Sequence, residues 1–263
     1  MNSIILTSGP AFSIKKGNGE RKSIRLRNEA LVKHLKNNID GYNNLLFICS
    51  SPDDYENNEL YSSVITKSLS LSGFKFDMVD LIDSRNWLFT KGLINNSNLV
   101  ILLGGHPLNQ MSFFEDIELK DKLRKYKGCL MGISAGTINL ATNAYCSKDD
   151  DIEESCYYKG LGLVDINIEP HFDINDKTRI DSILNEDSKK KPFFALPDDS
   201  IIVYKDNQYL LEGEGYYFKD GTHTKVNGNI TSDVTLNNTC DDVFFFCVEL
   251  IVYNSSFFFT DLL

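Results

Sequence analysis

A chain of 263 residues with 42% hydrophobic and 24% charged residues is long enough to bury a sizeable core, which argues against wholesale disorder. Its 27 basic and 37 acidic residues leave a net charge of −10, which argues against nucleic acid or an anionic membrane as the main partner. The six cysteines include no C-x-x-C pair and the start lacks the segments of a secretory signal, so we expect a reducing, cytoplasmic location.

The first half of the chain alternates short apolar runs with longer stretches of helical periodicity. The runs 45–49 and 99–103 are wholly apolar, which is typical of parallel strands buried on both faces. Predicted strands cover residues 3–8, 45–49, 74–82, 99–103 and 127–131, and predicted helices cover residues 20–36, a stretch running to residue 73, part of 87–93 and residues 111–126. This alternation predicts an α/β fold in which helices flank a mostly parallel central sheet on both faces.

The second half of the chain has a different pattern. Residues 146–154 are acidic and irregular, which predicts a surface loop, and a predicted strand at 163–168 is followed by a short helix over about 176–184. Strand-like runs with turn residues follow from residue 193 onward, which indicates a short antiparallel flank on the main sheet. We therefore expect one domain over residues 1–240.

Residues 241–263 form a tail that is far more aromatic than the rest of the chain. Its apolar run around 243–253 is interrupted by Glu249 and is too short to span a bilayer. A terminal strand, a partner surface and a read-through segment all remain open as interpretations of this tail.

A serine flanked by small residues stands where the strand 127–131 meets a helix. The motif G-I-S-A-G at residues 132–136 has the spacing of a nucleophile elbow, a tight turn that exposes the hydroxyl of Ser134. The helix that follows directs its free N–H groups and its positive end toward negative charge beside that oxygen. Gly104-Gly105 ends the preceding strand, and ligands bind at the carboxyl ends of such strands. A catalytic serine is therefore favoured over a simple glycine-rich turn.

A serine nucleophile needs a base, and the chain contains four histidines. His171 follows a proline at the end of a predicted strand, which places it on the same rim of the sheet as Ser134. His106 follows the glycine pair and could line the site, whereas His34 belongs to a helix and His223 to a turn. His171 is therefore the preferred base.

The acid partner of that histidine and the oxyanion hole need further groups. Three carboxylates are candidates for the acid: Asp198 in a Leu-Pro-Asp turn, Asp149 in the acidic loop and Glu169 two residues before the histidine. An oxyanion hole needs two N–H donors. The N–H groups of Ala135 and Gly105 fit this role, because a glycine lets the backbone approach a ligand closely.

Taken together, these motifs resemble one known family. The glycine pair 104–105, the motif at 132–136 and the sequence Glu-Pro-His-Phe at 169–172 resemble the peptidase E family, the S51 aspartyl dipeptidases. The resemblance covers roughly residues 1–220. It implies a class I glutamine amidotransferase-like fold in which a serine replaces the amidotransferase cysteine.

The resemblance also implies roles for individual residues. It implies Ser134 as the nucleophile and His171 as the base, and it offers two acids, Asp149 fifteen residues after the serine and Asp198 in the later turn. We prefer Asp198, because a turn at a strand end holds a carboxylate against a histidine more firmly than an acidic loop does. Arg179 is a candidate for holding a substrate carboxylate in a bidentate pair.

Two features depart from the family pattern. His106-Pro107 stand where the family has a third glycine and an asparagine, which makes His106 a second candidate for substrate binding. The stretch between His171 and Arg179 is shorter than in the aspartyl dipeptidases, which argues against a strict preference for an N-terminal aspartate.

We expect a serine peptidase that cleaves small peptides, Asp-X dipeptides among them, through an acyl-enzyme. No His, Cys or Asp spacing resembles a metal-ligand set, so neither metal nor cofactor is expected. The alternatives are a cyanophycinase-like hydrolase of β-aspartyl peptides, and a catalytically silent amidotransferase-like binding protein in which His106-Pro107 spoils the oxyanion hole. The expected partner is a small peptide, not a nucleic acid or a membrane, and a homodimer is left open.

Overall fold

The computed structural model of the chain describes residues 3–17 and 21–230. Strands in these residues are β1 Ser3–Thr7, β2 Ser13–Lys15, β3 Arg21–Ser23, β4 Asn44–Ile48, β5 Met78–Ile82, β6 Leu99–Leu102, β7 Cys129–Ile133, β8 Asn143–Cys146, β9 Cys156–Lys159, β10 Ile168–Glu169, β11 Phe193–Ala195, β12 Ile201–Lys205, β13 Gln208–Lys219 and β14 Thr222–Ile230. Helices are α1 Glu29–Asn38, α2 Tyr55–Leu71, α3 Thr90–Asn96, α4 Pro107–Asp116, α5 Leu119–Lys125, α6 Ala135–Ile138, α7 Lys177–Arg179 and α8 Asn185–Ser188. A 3-10 turn, Trp87–Phe89, precedes α3, and a π-helical segment, Ile180–Leu184, joins α7 to α8.

One large sheet organises the described residues. Its strand order is β10-β11-β13-β12-β1-β7-β6-β4-β5, and β14 pairs with the free edge of β13. The half from β1 to β5 is parallel throughout, whereas β12, β13 and β14 join it by antiparallel pairing. The predicted α/β fold with a mostly parallel sheet and an antiparallel C-terminal flank is confirmed.

The parallel strands are buried on both faces, which explains their continuously apolar sequences. Every residue of β1, β6 and β7 is buried. Because crossovers between parallel strands are right-handed, α1 and α2 cover one face and α3, α4 and α5 cover the other. On that face, α5 packs against both α3 and α4. The core therefore lies on both sides of the sheet and supports the edge at which the parallel strands end.

At the antiparallel half of the sheet, β1 and β10 approach each other end to end. β11 and β12 pair with successive stretches of the same edge of β13, and residues 196–200 form the break between them. β1 pairs with β12, and β10 pairs with β11, so β1 and β10 run toward this break from opposite directions. The chain segments that follow β1 and β10 therefore meet at residues 196–200.

Several predicted elements need correction. The predicted helix at 20–36 is wrong at its start: residues 21–23 form β3, which pairs with β2, and α1 begins only at Glu29, where the Asn28 side chain caps it. Asn28 accepts a hydrogen bond from the Leu31 N–H, which satisfies one of the free donors of the first turn.

Two further predictions, the helix at 111–126 and the loop at 146–154, differ from the structure at their bounds. The predicted helix at 111–126 is two helices, because Glu118 adopts a left-handed conformation with φ of 49° between them. The predicted loop at 146–154 is confirmed over most of its length, and it connects β8 to β9, a hairpin that the sequence did not reveal.

No helix in the described part of the chain is long and apolar enough to cross a membrane. The aromatic tail at 241–263, and the expected domain end at residue 240, lie outside the described residues. The single-domain organisation stays a prediction.

Candidate active site

Ser134 occupies a strained turn at the carboxyl end of β7. Its backbone has φ of 51° and ψ of −113°, a conformation that is costly for a residue with a side chain and that recurs at functional sites. Its N–H donates to the carbonyl oxygens of Thr7 at 3.1 Å and Ser8 at 3.0 Å, both at the end of the neighbouring β1. Glycine at position 136 is required here, since a Cβ would collide with the Leu102 carbonyl. The turn therefore presents the Ser134 hydroxyl above the edge of the sheet.

His171 bridges Ser134 and Asp198. Its Nε2 lies 2.8 Å from Ser134 Oγ, and its Nδ1 lies 2.7 Å from Asp198 Oδ1. The tautomer that satisfies both partners has its proton on Nδ1, so that Nδ1–H donates to Asp198 and Nε2 accepts from Ser134. This arrangement is that of a nucleophile, a base and an orienting acid.

The strand before His171 reaches the site from an unexpected direction. We predicted that this strand ends at the same rim as the parallel strands, but β10 runs opposite to β1 and arrives from the far side of the break at 196–200. His171 itself has φ of 55°, which turns the chain so that the imidazole faces Ser134. His171 lies close to Ser134, as predicted, but the strand direction that brings it there differs from the predicted one.

His171 and Asp198 shift the pKa of each other toward the charged form. The hydrogen bond that His171 donates to Asp198 raises the pKa of His171, although partial burial opposes the rise. The same hydrogen bond is the main reason that the pKa of Asp198 lies below its ordinary value. The two side chains are 53% and 57% exposed, so solvent screens this pair and leaves it open to a substrate.

Two residues that sequence reasoning passed over, Ser8 and Gly9, support this arrangement. Ser8 Oγ donates to Asp198 Oδ1 at 3.0 Å and accepts the N–H of His171 at 2.5 Å. A Cβ on Gly9 would stand 2.5 Å from Asp198 Oδ1 and 2.9 Å from His171 Cε1, so only glycine fits beside the imidazole. The signal was present in the sequence: Ser8-Gly9-Pro10 ends a buried strand, as the glycine pair at 104–105 does.

The two expected oxyanion donors have free N–H groups. The N–H groups of Gly105 and Ala135 have no hydrogen-bond partner among residues 3–17 and 21–230. Gly105 has φ of 148°, and a Cβ there would collide with the Ser50 side chain, whose hydroxyl donates to the Gly104 carbonyl at 2.8 Å. The backbone at Gly105 is therefore held in a conformation that only glycine adopts readily.

His106 begins a helix. Its Nδ1 accepts the N–H of Asn109 at 3.3 Å, and Pro107 is the first residue of α4. Proline is favoured at this position because its missing N–H would have no helical partner. The departure from the family pattern at His106-Pro107 thus forms a helix cap beside Gly105.

Three other candidates, Glu169, Asp149 and Arg179, make their hydrogen bonds to residues other than Ser134 and His171. Glu169 is buried, and its Oε1 accepts from Arg179 Nη2 at 2.7 Å and from Ser147 Oγ at 2.8 Å. Burial raises the pKa of Glu169, and Arg179 opposes that rise. Asp149 is exposed, and its Oδ1 accepts the N–H groups of Asp151 at 2.9 Å and Ile152 at 2.8 Å within the acidic loop. Neither carboxylate is hydrogen-bonded to His171 in the described structure.

Arg179 is already engaged within the protein. Besides Glu169, it donates from Nη2 to Ser147 Oγ at 2.6 Å and from Nη1 to the Lys148 carbonyl at 2.9 Å. A substrate carboxylate at this guanidinium would share it with Glu169. As for metals, no group of three or more His, Cys, Asp or Glu side chains in the described ranges is arranged to hold an ion.

Comparison with protein families decides the identity of the chain. The family model described as peptidase family S51 matches residues 17–211, which is most of the chain. The chain belongs to peptidase family S51. The family resemblance seen in the motifs is confirmed, and this S51 peptidase is a serine-type enzyme.

Similar proteins agree with this assignment. Peptidase E of Nostoc sp. (strain PCC 7120 / SAG 25.82 / UTEX 2576) is 27% identical to the S51 peptidase over 177 residues, covering 61% of this chain and 70% of the Nostoc protein. Among solved structures, a peptidase from an acI-B1 Actinobacterium superposes with a TM-score of 0.65 at 15% identity, covering 88% of this chain and 97% of the other. A protein assigned to peptidase E from Listeria monocytogenes EGD-e has a TM-score of 0.56 at 14% identity, covering 81% and 98%. At these identities the two structures show a shared fold.

Proposed function

We propose that this S51 peptidase hydrolyses short peptides through an acyl-enzyme formed on Ser134. His171 acts as general base and Asp198 orients it. The observation that carries the proposal is the continuous hydrogen-bonded series from Ser134 Oγ through His171 to Asp198, with separations of 2.8 and 2.7 Å. Three residues from three separate strand ends meet in the order that the chemistry needs.

In the first step, Ser134 Oγ attacks the carbonyl carbon of the scissile peptide bond and its proton passes to His171 Nε2. The carbonyl oxygen becomes an oxyanion that the N–H groups of Gly105 and Ala135 stabilise. Asp198 accepts the Nδ1–H of His171 throughout, and its negative charge stabilises the imidazolium that forms.

In the second step, the C–N bond breaks and the leaving amine takes the proton from His171 Nε2. The acyl group remains as an ester on Ser134. Water then loses a proton to His171 and attacks this ester, which releases the carboxylic acid and restores the serine. The exposure of His171 and Asp198 leaves room for this water.

The substrate preference follows from which side chains can reach the peptide. Arg179 and His106 are the candidates that we carry forward for contact with the substrate. Each is engaged within the protein, by Glu169 and by the Asn109 N–H respectively. We therefore propose small peptides as the substrate class and treat Asp-X as one member of a panel.

The experiment uses a fluorophosphonate probe on the full chain, with the labelled residue located by mass spectrometry. We expect one label on Ser134 that is lost in Ser134→Ala and His171→Ala. His34→Ala is the matched control, because His34 is hydrogen-bonded to Glu212 and not to a residue of the triad. A folded wild-type protein that takes no label at Ser134 would overturn the proposal.

A panel of Asp-X, β-Asp-X and neutral dipeptides then defines the substrate. Cleavage of several classes supports a broad small-peptide peptidase. Cleavage of β-Asp-X alone would instead support a cyanophycinase-like hydrolase, and labelling without cleavage of any dipeptide would contradict the proposed substrate class.

A further inference from the structure

Ser8 contacts all three residues of the proposed triad. Its carbonyl oxygen accepts the N–H of Ser134 at 3.0 Å, and its hydroxyl oxygen accepts the N–H of His171 at 2.5 Å. The same hydroxyl donates its proton to Asp198 Oδ1 at 3.0 Å. That carboxylate oxygen is also the one that receives His171 Nδ1–H at 2.7 Å.

The location of Ser8 makes these contacts rigid. It is fully buried, at 0% exposure, and it follows directly after β1, which lies between β7 and β12 in the sheet. Ser134 follows directly after β7, and the segment before β12 carries Asp198. Ser8 is therefore held by the same two neighbours that position the nucleophile and the acid.

The backbone of His171 needs such support. Its φ of 55° lies in the left-handed region, which is uncommon for a residue with a Cβ and must be stabilised by its surroundings. The hydrogen bond from its N–H to Ser8 Oγ secures this turn. Because the hydroxyl also donates to Asp198, the histidine backbone and the acid are coupled through one buried group.

We propose that Ser8 is a positioning residue of the triad formed by Ser134, His171 and Asp198; this inference rests on the proposed function. Ser8 fixes the distance between His171 and Asp198, and its hydroxyl shares the negative charge of the Asp198 carboxylate. Ser8 does not touch the substrate. It acts by holding the imidazole in line with Ser134 Oγ and by stabilising the ionised Asp198.

The test compares Ser8→Ala with Ser8→Thr, which keeps the hydroxyl, and with Ser68→Ala. Ser68 is a matched control, because it is equally buried and its hydroxyl donates to the Ile24 carbonyl, away from the triad. In Ser8→Ala we expect kcat for the best dipeptide to fall by up to about 100-fold with KM little changed, as for a small misplacement of catalytic groups. Ser8→Thr should recover most of that loss.

A second readout does not depend on turnover. The titration of His171 is followed by NMR of the histidine-labelled protein, with His171→Ala to assign the signal. Asp198 and Glu169 are the charged groups that act on the imidazole, and both remain in Ser8→Ala. Without the Ser8 hydroxyl, the Asp198 carboxylate loses one hydrogen-bond donor and its charge acts more strongly on His171. The pKa of His171 and the midpoint pH of the acid limb of kcat/KM should therefore rise together.

These outcomes separate the two proposals. If wild-type protein takes no fluorophosphonate label, the proposed function fails, whereas an unshifted His171 titration in Ser8→Ala refutes the role of Ser8 whether or not the enzyme turns over. A loss of kcat equal to that in Ser68→Ala would also refute it. If Ser8→Ala does not fold, Ser8→Cys provides the comparison, because its slightly larger thiol fills the buried position but donates a weaker hydrogen bond.

Discussion

Arg179 donates from Nη2 to Glu169 Oε1 at 2.7 Å, and the Glu169 side chain is only 4% exposed. Glu169 lies in β10, two residues before His171. Ser147 and the Lys148 carbonyl also bind this guanidinium, so the pair connects the acidic loop to the strand that leads to His171. The arginine therefore has a structural partner before any substrate is present.

Arg179→Ala should destabilise the protein by about 3 kcal/mol, because it leaves a buried carboxylate without its counter-charge. Burial would then hold the pKa of Glu169 further above its ordinary value, so part of the lost stability should return as the pH falls and the group is protonated. Urea unfolding at neutral and acidic pH measures this. Adding Glu169→Gln should restore stability at neutral pH. An unchanged unfolding free energy with a raised KM for acidic peptides alone would instead assign Arg179 to the substrate.

The pH dependence of kcat/KM should report the raised pKa of His171. A base must be unprotonated to act, so activity should rise with pH along a limb whose midpoint lies above the ordinary value of a histidine. Asp198→Asn removes the main cause of the rise. It should therefore move the limb to lower pH while lowering kcat by about 10⁴-fold.

Asp149→Asn is the matched control for Asp198→Asn, since it alters a carboxylate of the same type in the acidic loop. Asp149 accepts the N–H groups of Asp151 and Ile152, and none of its hydrogen bonds within the described residues reaches His171. We expect its pH profile to match that of the wild type. A collapse of activity in Asp149→Asn with retention in Asp198→Asn would reverse our assignment of the acid.

Gly9→Ala should lower kcat by up to about 100-fold, because its Cβ would stand 2.9 Å from His171 Cε1 and push the imidazole away from Ser134. Gly17→Ala is the control, since a Cβ there meets no atom of the described residues within 4 Å. Steady-state kinetics of both variants on one dipeptide make the comparison. Equal activity in the two variants would show that the ring tolerates displacement.

Gly105→Ala should lower kcat by about 10²- to 10³-fold through loss of one oxyanion donor. The new Cβ would collide with Ser50, and φ of 148° is unfavourable for alanine, so the peptide at this position must rotate. Single-turnover acylation with a chromogenic ester measures this step separately from deacylation. An acylation rate close to that of the wild type would place the oxyanion elsewhere.

Local patterns were sufficient for the parallel half of the fold and for Ser134. Continuously apolar runs identify strands buried on both faces, and the G-I-S-A-G motif places a serine in a turn where larger neighbours would collide with backbone. The helix start at Glu29 was missed because charged residues in 21–27 suit an exposed hairpin as well as a helix face. Hydrophobic periodicity over residues 21–27 does not distinguish a hairpin from a helix.

The sequence by itself determined the family, the α/β class and the three strand-end motifs that surround Ser134. Only the tertiary structure decided which acid faces His171 and which residue supports them, since the sequence favoured Asp198 but left Asp149 and Glu169 open. The physical reason is long-range pairing: β1 and β10 run toward the break between β11 and β12, and that encounter brings Ser8, His171 and Asp198 together from positions up to 190 residues apart.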